Sequence, residues 1–467
     1  MKVLLVATNR EPSPFAVAPL GALCVVAAVR AAGHALDFLD LGLAGAPDRE
    51  LRRALVAGGP QVVALSIRNL DNCLLLAPHS YVAEVCRWVE TVRRSFAGPL
   101  ILGGSGFSVS PRGWLRRSGA EAGVVGEGER VFSELLARLD THGSLSQVPG
   151  VLVRDDAKPA PAHTPAEPIP RLDALAPPAH EMCRYPQYLR RGGAVSVHTK
   201  RGCPFGCIYC VYPQLEGRHY RLRPPEAVAD EIQAVVKQSQ ARHFFFVDSV
   251  FNDPREHALA VCAALGRRRL PIRWMAYCNP VGYDAELARA MAQAGCEGLE
   301  FGLDAVCPKS LAALRKPFGQ DQIRTALRAA YQARLPFAVH LLFGAPGETW
   351  ADVEEAQVFL NDCAPANSVF ASFGIRVYEG TVMEEIARRE GVLRPEHDLF
   401  EPAYYLSPAL AERAEANLDR IARQRPEWTS PVDWRRPIIR WIQRTVSFLD
   451  VRPQWKDIRG YGRFRKR

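Results

Sequence analysis

No apolar run in this chain is long enough to cross a bilayer, which takes about 20 consecutive residues, although 48% of its 467 residues are hydrophobic. The opening Met1-Lys2-Val3-Leu4-Leu5-Val6-Ala7 has the pattern of a buried strand and not of a secretory signal. Both absences point to a cytoplasmic protein. A disulfide framework is missing as well. Of twelve cysteines, nine (Cys24, Cys73, Cys86, Cys183, Cys262, Cys278, Cys296, Cys307 and Cys363) are scattered as small buried hydrophobes are, and a reducing compartment suits them. Two phosphate-binding signatures also fail. Leu342-Phe343-Gly344-Ala345-Pro346-Gly347-Glu348-Thr349 lacks the lysine of a P-loop, and Gly104-Ser105-Gly106 meets Val109 where a dinucleotide fingerprint requires a third glycine.

Much of the net charge of +9 comes from the tail, where Arg435, Arg440, Arg452 and Arg463 are interleaved with Trp434, Trp441 and Trp455. Such a run reads as a solvated helix face with aromatic anchors. Nucleic acid is not an expected partner, and peripheral contact with a membrane surface stays open.

Three other cysteines stand together. Lys200-Arg201-Gly202-Cys203-Pro204-Phe205-Gly206-Cys207-Ile208-Tyr209-Cys210 follows an apolar run and places Cys203, Cys207 and Cys210 on one short loop. A cubane iron–sulfur cluster normally takes four thiolates, so three leave one iron open for a small molecule. A zinc knuckle completed by His198 or His219 is the alternative.

Around this loop the chain divides into four parts. In residues 1–143, apolar runs at 3–7, 35–41, 62–67, 99–102 and 122–125 alternate with helical segments such as 21–32 and 81–94. That alternation predicts an α/β, doubly wound, Rossmann-like parallel sheet, whose ligands lie beyond the carboxyl ends of the strands. Those ends carry Arg68-Asn69-Leu70-Asp71-Asn72, Gly103-Gly104-Ser105-Gly106 and Gly126-Glu127-Gly128-Glu129. The glycines would let a large ligand lie on bare backbone, or would serve tight packing of strand on helix. Residues 144–193, rich in Pro and Ala, read as a linker with one short strand at 151–154. Residues 194–394 hold strand-like runs at 194–199, 244–247, 274–277, 298–302, 338–343 and 370–377, six β/α units of a partial TIM-type barrel. Residues 395–467 read as a mainly helical, basic segment.

The cysteine spacing, with Tyr209 before the last cysteine, resembles the signature of radical S-adenosylmethionine enzymes. Ahead of it, Pro19-Leu20-Gly21, Ala32-Gly33-His34, Leu39-Asp40-Leu41 and Gly126-Glu127-Gly128-Glu129 resemble the cobalamin-binding domain that precedes many of them. The likeness covers almost the whole chain. It implies a [4Fe–4S] cluster on Cys203, Cys207 and Cys210 that binds S-adenosylmethionine at its open iron and cleaves it to a 5′-deoxyadenosyl radical. It also implies an external electron donor such as flavodoxin or ferredoxin. Cobalamin would lie against Pro19, Ser66, Arg68, Asn69, Asp71, Asn72, Gly103, Gly104, Ser105, Gly126, Glu127 and Gly128. The Asp-x-His-x-x-Gly string that supplies a histidine below cobalt is absent, so the resemblance implies a detached base. Arg68 becomes the candidate beneath the metal, unless it merely pairs with Asp71. Asp248, Ser249 and Asn252 would hold the amino end of the sulfonium cofactor, Tyr209 and Phe343-Gly344 its adenine, and Arg376 its carboxylate or ribose. Glu300 is a further cofactor candidate, and Tyr378 joins Arg68 as a catalytic one. The implied activity is methylation of an unactivated carbon of a small molecule, methylcobalamin giving its methyl group to a substrate radical. Cobalamin-assisted ring formation without methyl transfer is the enzymatic alternative. A non-catalytic zinc- or corrin-binding protein is the other.

Overall fold

A computed structural model describes residues 1–12, 15–154, 165–414, 416–417, 420–421 and 427–429. Its first sheet is built from β1 (Lys2–Ala7), β2 (Ala35–Asp40), β3 (Val62–Ser66), β4 (Leu100–Gly103), β5 (Ala122–Val124) and β6 (Val151–Val153), ordered β2-β1-β3-β4-β5-β6. The alternation of side chains along each strand covers both faces. Leu4, Val6, Val63, Leu65, Leu100 and Leu102 join one apolar cluster with Leu51, Val85 and Trp88. Val3, Leu5, Val62, Ala64 and Ile101 join another with Val26, Val131 and Leu135. This is the doubly wound arrangement expected from the strand–helix alternation. One detail differs: β6, read as a strand inside a linker, pairs antiparallel with β5 and closes the edge of the sheet.

The second sheet begins with β7 (Val195–Val197), after which the short antiparallel hairpin β8 (Lys200–Arg201) and β9 (Arg221–Leu222) brackets the cysteine loop. Then follow β10 (His243–Phe246), β11 (Arg273–Cys278), β12 (Cys296–Asp304), β13 (Phe337–Phe343), β14 (Ser368–Phe373), β15 (Ile375–Arg376), β16 (Tyr404–Tyr405) and β17 (Trp428–Thr429). β7 and β10 to β14 lie side by side in parallel as the six expected barrel strands, and β17 adds a seventh at the edge beyond β14. Among the described residues β7 and β17 do not pair, so the barrel is open.

The sixth strand ends earlier than its apolar run suggested. Gly374 has φ +86°, and a Cβ there would come within 2.5 Å of Leu75 in the first domain. The chain turns at this contact, and β15 pairs antiparallel with β16. Arg376, in β15, and Tyr378, just after it, therefore lie against the first domain and not at the end of a barrel strand. In the C-terminal part the described residues form β16, a helical turn at Pro408–Ala411 and β17. Of the expected mainly helical segment 395–467, Ala414, Ala416, Asn417, Arg420 and Ile421 are also helical, and the basic tail from Arg435 onward lies outside the described residues. Among the described residues, no helix is long and apolar enough to cross a membrane.

Candidate active site between the two sheets

The cysteine loop is held from below by a buried ion pair. Asp248, just past β10, accepts from the backbone N–H of Thr199 (2.7 Å) and Lys200 (3.2 Å) and from the Thr199 hydroxyl (2.6 Å), and its carboxylate lies 3.4 Å from Lys200 Nζ. Both side chains are at most 1% exposed. Such a charge survives burial only because these partners satisfy it. Asp248 is thus a brace of the loop and is not free for the amino end of a cofactor, as the strand-end reading supposed. The same holds for Asn252, fully buried and hydrogen-bonded to the Asn279 and Val281 carbonyls and the Asn279 N–H. Ser249 donates to the Gly202 carbonyl at 3.1 Å. Gly202 is itself required: its φ is +93°, and a Cβ would fall 2.1 Å from the His219 carbonyl oxygen.

The three thiols crowd one another. Burial raises the pKa of all three, and Cys210 is pushed up to about 12, with Cys207 and Cys203 adding to the shift. Lys316 opposes the shift at Cys207 and Cys210. A cationic cluster would relieve this crowding, because it binds thiolates and neutralises them. A single zinc ion fits less well. Zn–S bonds of about 2.3 Å hold sulfurs about 3.8 Å apart, and among the described residues no three ligand atoms drawn from this loop, His198 or His219 lie within 4.8 Å of one another. The donor set therefore suits a cubane with one open iron.

Beside the loop, Tyr209 donates its hydroxyl to Asp304, which also holds Lys316 Nζ at 2.6 Å. Four further sequence candidates are turned to structural work. Phe343 is 1% exposed and packs on Phe373 at 5.1 Å, so its ring is not available to adenine. The N–H of Gly344 donates to Glu348 at 2.6 Å within a self-tied turn. Arg376 gives Nε to Asp71 (2.8 Å), Nη2 to the Leu399 carbonyl (3.0 Å) and Nη1 to the Val377 carbonyl. Its side chain is 3% exposed and that of Asp71 0%. This guanidinium joins the two domains and is not placed to bind a cofactor carboxylate or ribose. Glu300 is committed to His340, at 3.0 Å.

Opposite the cysteine loop, the strand ends of the first sheet open into a cavity of about 540 Å³. Pro19, Ser66, Arg68, Asn69, Asp71, Gly103, Gly104, Ser105, Gly126, Glu127, Gly128 and Tyr378 all line it. So do Val211, Tyr212, Leu215 and Glu216, which follow directly on Cys210, together with His198 and Arg201. Nothing in the sequence alone marked this second wall. Asn72 is absent from it, because its amide closes its own loop through the Ala77 carbonyl and the Leu74 and His79 N–H groups.

The walls differ in kind. Added Cβ atoms at Gly103 and Gly126 would find no atom nearer than 3.8 Å and 3.9 Å, so these two offer bare backbone to a ligand. At Gly104 and Gly106 they would fall 2.5 Å from the Ile67 carbonyl oxygen and 2.6 Å from the Asn69 nitrogen, so tight packing of adjacent strand ends explains them. Ser105 likewise donates to the Arg68 carbonyl at 2.8 Å. Arg68 is exposed to the cavity, and among the described residues no carboxylate pairs with it, Asp71 being taken by Arg376. The histidine among the lining residues, His198, comes from the barrel side, and burial with the charge of Arg201 lowers its pKa to about 4. A broad planar group with no histidine beneath it fits this cradle.

Glu127 carries a different message from the one its motif suggested. Its carboxylate lies 3.1 Å from Arg201 and 2.7 Å from Arg221, and it accepts from the Ile169 N–H at 2.8 Å, while Glu129 pairs with Arg201. Burial alone would raise the pKa of Glu127, but Arg221 and Arg201 outweigh it and hold the group below the usual carboxylate range. The acidic side chains of the motif therefore staple the first domain to the β8–β9 hairpin. Its glycines, and the parts of Glu127 and Glu129 not taken up by these pairs, border the cavity.

Residues 9–136 match the B12 binding domain and residues 197–360 the radical SAM superfamily. The tryptophan 2-C-methyltransferase of Streptomyces laurentii is 27% identical over 414 residues, 74% of this chain and 68% of that protein. The hopanoid C-3 methylase of Methylococcus capsulatus is 26% identical over 334 residues, 69% of this chain and 60% of that protein. In fold, the chain resembles the radical S-adenosylmethionine methyltransferase TsrM from Kitasatospora setae, solved with cobalamin and a [4Fe–4S] cluster bound. That match has a TM-score of 0.85 and 24% identity, and it covers 100% of this chain and 98% of that one. Three thiols on one loop and a cradle to which the first sheet brings no histidine, in a chain with both domain matches, identify a methyltransferase-like member of the cobalamin-dependent radical S-adenosylmethionine enzymes, with a [4Fe–4S] cluster, S-adenosylmethionine and cobalamin as its cofactors.

Proposed function

We propose that the enzyme methylates an unactivated carbon of a small molecule, S-adenosylmethionine being the source both of the radical and of the methyl group. One observation carries this reading: the residues that follow Cys210 and the strand ends around Arg68 line the same cavity. When bound, the cluster with its sulfonium supplies hydrogen abstraction and cobalamin supplies the methyl carrier. The protein supplies placement. Asp248 and Lys200 fix the height of the cysteine loop, and Glu127 and Arg201 fix its distance from the first sheet. Tyr209 borders the sulfonium site beside Cys210. An external flavodoxin or ferredoxin would deliver the electron, in a reducing cytoplasm that suits twelve free cysteines.

Arg68, exposed in this cavity without a carboxylate partner among the described residues, would lie against bound cobalamin, where its cation would disfavour ligation of the metal by a protein nitrogen. The purified protein should accordingly bind cobalamin with a base-off absorption spectrum, and Arg68→His should shift that spectrum toward a nitrogen-ligated form. A base-on wild type would overturn the assignment. The reaction class is tested by comparing metabolites of the producing strain with those of a strain from which the gene is deleted. The deletion should accumulate a compound lighter by one methyl group, whereas a compound differing by a ring closure would favour cyclisation.

A further inference from the structure

The inner face of the second sheet carries a group of side chains that the cofactor sites do not use. Along β11, β12 and β13 the outward positions Trp274, Ala276, Leu299, Phe301, Val339 and Leu341 are buried to 1% or less. The alternate positions Tyr277, Glu300, Gly302 and His340 face inward, with Phe370 next to His340 in register. Tyr277 is 38% accessible. Yet its hydroxyl is enclosed enough that burial pushes its pKa well above the ordinary tyrosine value, with Glu300 and Tyr212 adding to the shift and Arg68 opposing it. Tyr277 keeps 38% of its surface and the His340 side chain 36% although both stand on inward strand positions, so the described residues leave the inner face of the sheet unfilled, as a lumen. This lumen lies within electrostatic reach of the cavity that holds Arg68.

Its floor is open and its sides are aromatic. Among the described residues, a Cβ placed on Gly302 would find nothing within 4 Å. His340 stacks on Phe370 with ring centroids 4.9 Å apart, and Tyr277 stands edge-on to His340 at 6.5 Å and to Phe245 at 4.8 Å. Glu300, 7% exposed, lies 3.0 Å from Nε2 of His340, which is 36% exposed. A carboxylate on Nε2 holds the proton there and leaves Nδ1 as a free acceptor. Among the described residues nothing donates to Nδ1.

We propose that this lumen is the substrate subsite, and that its occupant is a planar, largely apolar ring compound that gives an N–H or O–H hydrogen bond to Nδ1 of His340. Glu300 is a positioning residue that fixes the imidazole tautomer. Gly302 leaves room for the ring between Tyr277 and Phe370. The proposal rests on the reading of the enzyme as one acting on a small molecule, but binding is measured without turnover, so its failure is distinct from a failure of methyl transfer.

The test uses anaerobically reconstituted enzyme carrying cluster and cobalamin, titrated with indole and with benzofuran, a ring of the same shape without the donor. Indole should bind about tenfold more tightly or better, the usual consequence of a ring that covers an acceptor without pairing it. In His340→Phe the two affinities should converge, and in Glu300→Gln their ratio should fall several-fold. Gly302→Val should weaken both, with iron content and the cobalamin spectrum unchanged as proof of an intact fold. Equal affinities in the wild type, binding of neither probe, or wild-type binding by Gly302→Val would overturn the proposal.

Discussion

Replacing Cys203, Cys207 and Cys210 together by alanine should take the anaerobically reconstituted protein from about four irons and four sulfides per chain to none. Activity should vanish with them. The fold should survive, because the loop is anchored by groups the substitutions leave in place: the Lys200–Asp248 pair, the Ser249 hydroxyl on Gly202, and the Cys203 N–H on the Gly217 carbonyl. The cobalamin cavity is built mostly from strand ends of the first sheet, so corrin uptake should persist in the triple variant. Iron and sulfide analysis, with absorption near the corrin bands, reads both outcomes in one sample. A wild type holding one zinc and no iron would contradict the cluster.

The second large effect concerns stability. Arg376→Ala leaves the Asp71 carboxylate, 0% exposed, without its cation, and removes donors from the Leu399 and Val377 carbonyls. Removing one partner of a buried pair costs about 3–5 kcal/mol. The first transition in urea should therefore move to much lower denaturant, and the two domains should become more open to proteolysis. Replacing both partners, Asp71→Leu with Arg376→Met, should recover much of the loss, since the uncompensated charge is then gone. If Arg376 served S-adenosylmethionine, the alanine variant would instead keep its stability and lose cofactor affinity.

The places where sequence reasoning succeeded and failed follow from what a chain can show of itself. The strands were legible because each is an apolar run bounded by polar residues, and the cysteine loop because its three ligands are close in sequence. Asp248 and Asn252 stand near a strand end as the apolar runs suggest, whereas Arg376 lies beyond the barrel strand expected to carry it, and the partners of all three were not legible. Arg376 is satisfied by Asp71, 305 residues away, and Glu127 by Arg201 and Arg221. A strand-end carboxylate that faces a ligand and one that braces a loop look alike in sequence. Nothing in the sequence analysis singles out His340. The available signal was phase: His340 falls on the inward positions of β13, as Glu300 does on neighbouring β12, and only the register of the two strands brings them together. Tyr378 lines the cavity wall, although its strand ends at a glycine the apolar run concealed.

The most direct test of the account follows the methyl group. Holoenzyme, reductant and the substrate recovered from the deletion strain are incubated with S-adenosylmethionine labelled in its methyl group, and all products are resolved by mass. The account predicts labelled product together with both 5′-deoxyadenosine and S-adenosylhomocysteine, the first reporting hydrogen abstraction and the second the supply of the methyl group. Deoxyadenosine with an unlabelled, cyclised or isomerised product would contradict methyl transfer, and labelled product with S-adenosylhomocysteine but no deoxyadenosine would contradict the radical step.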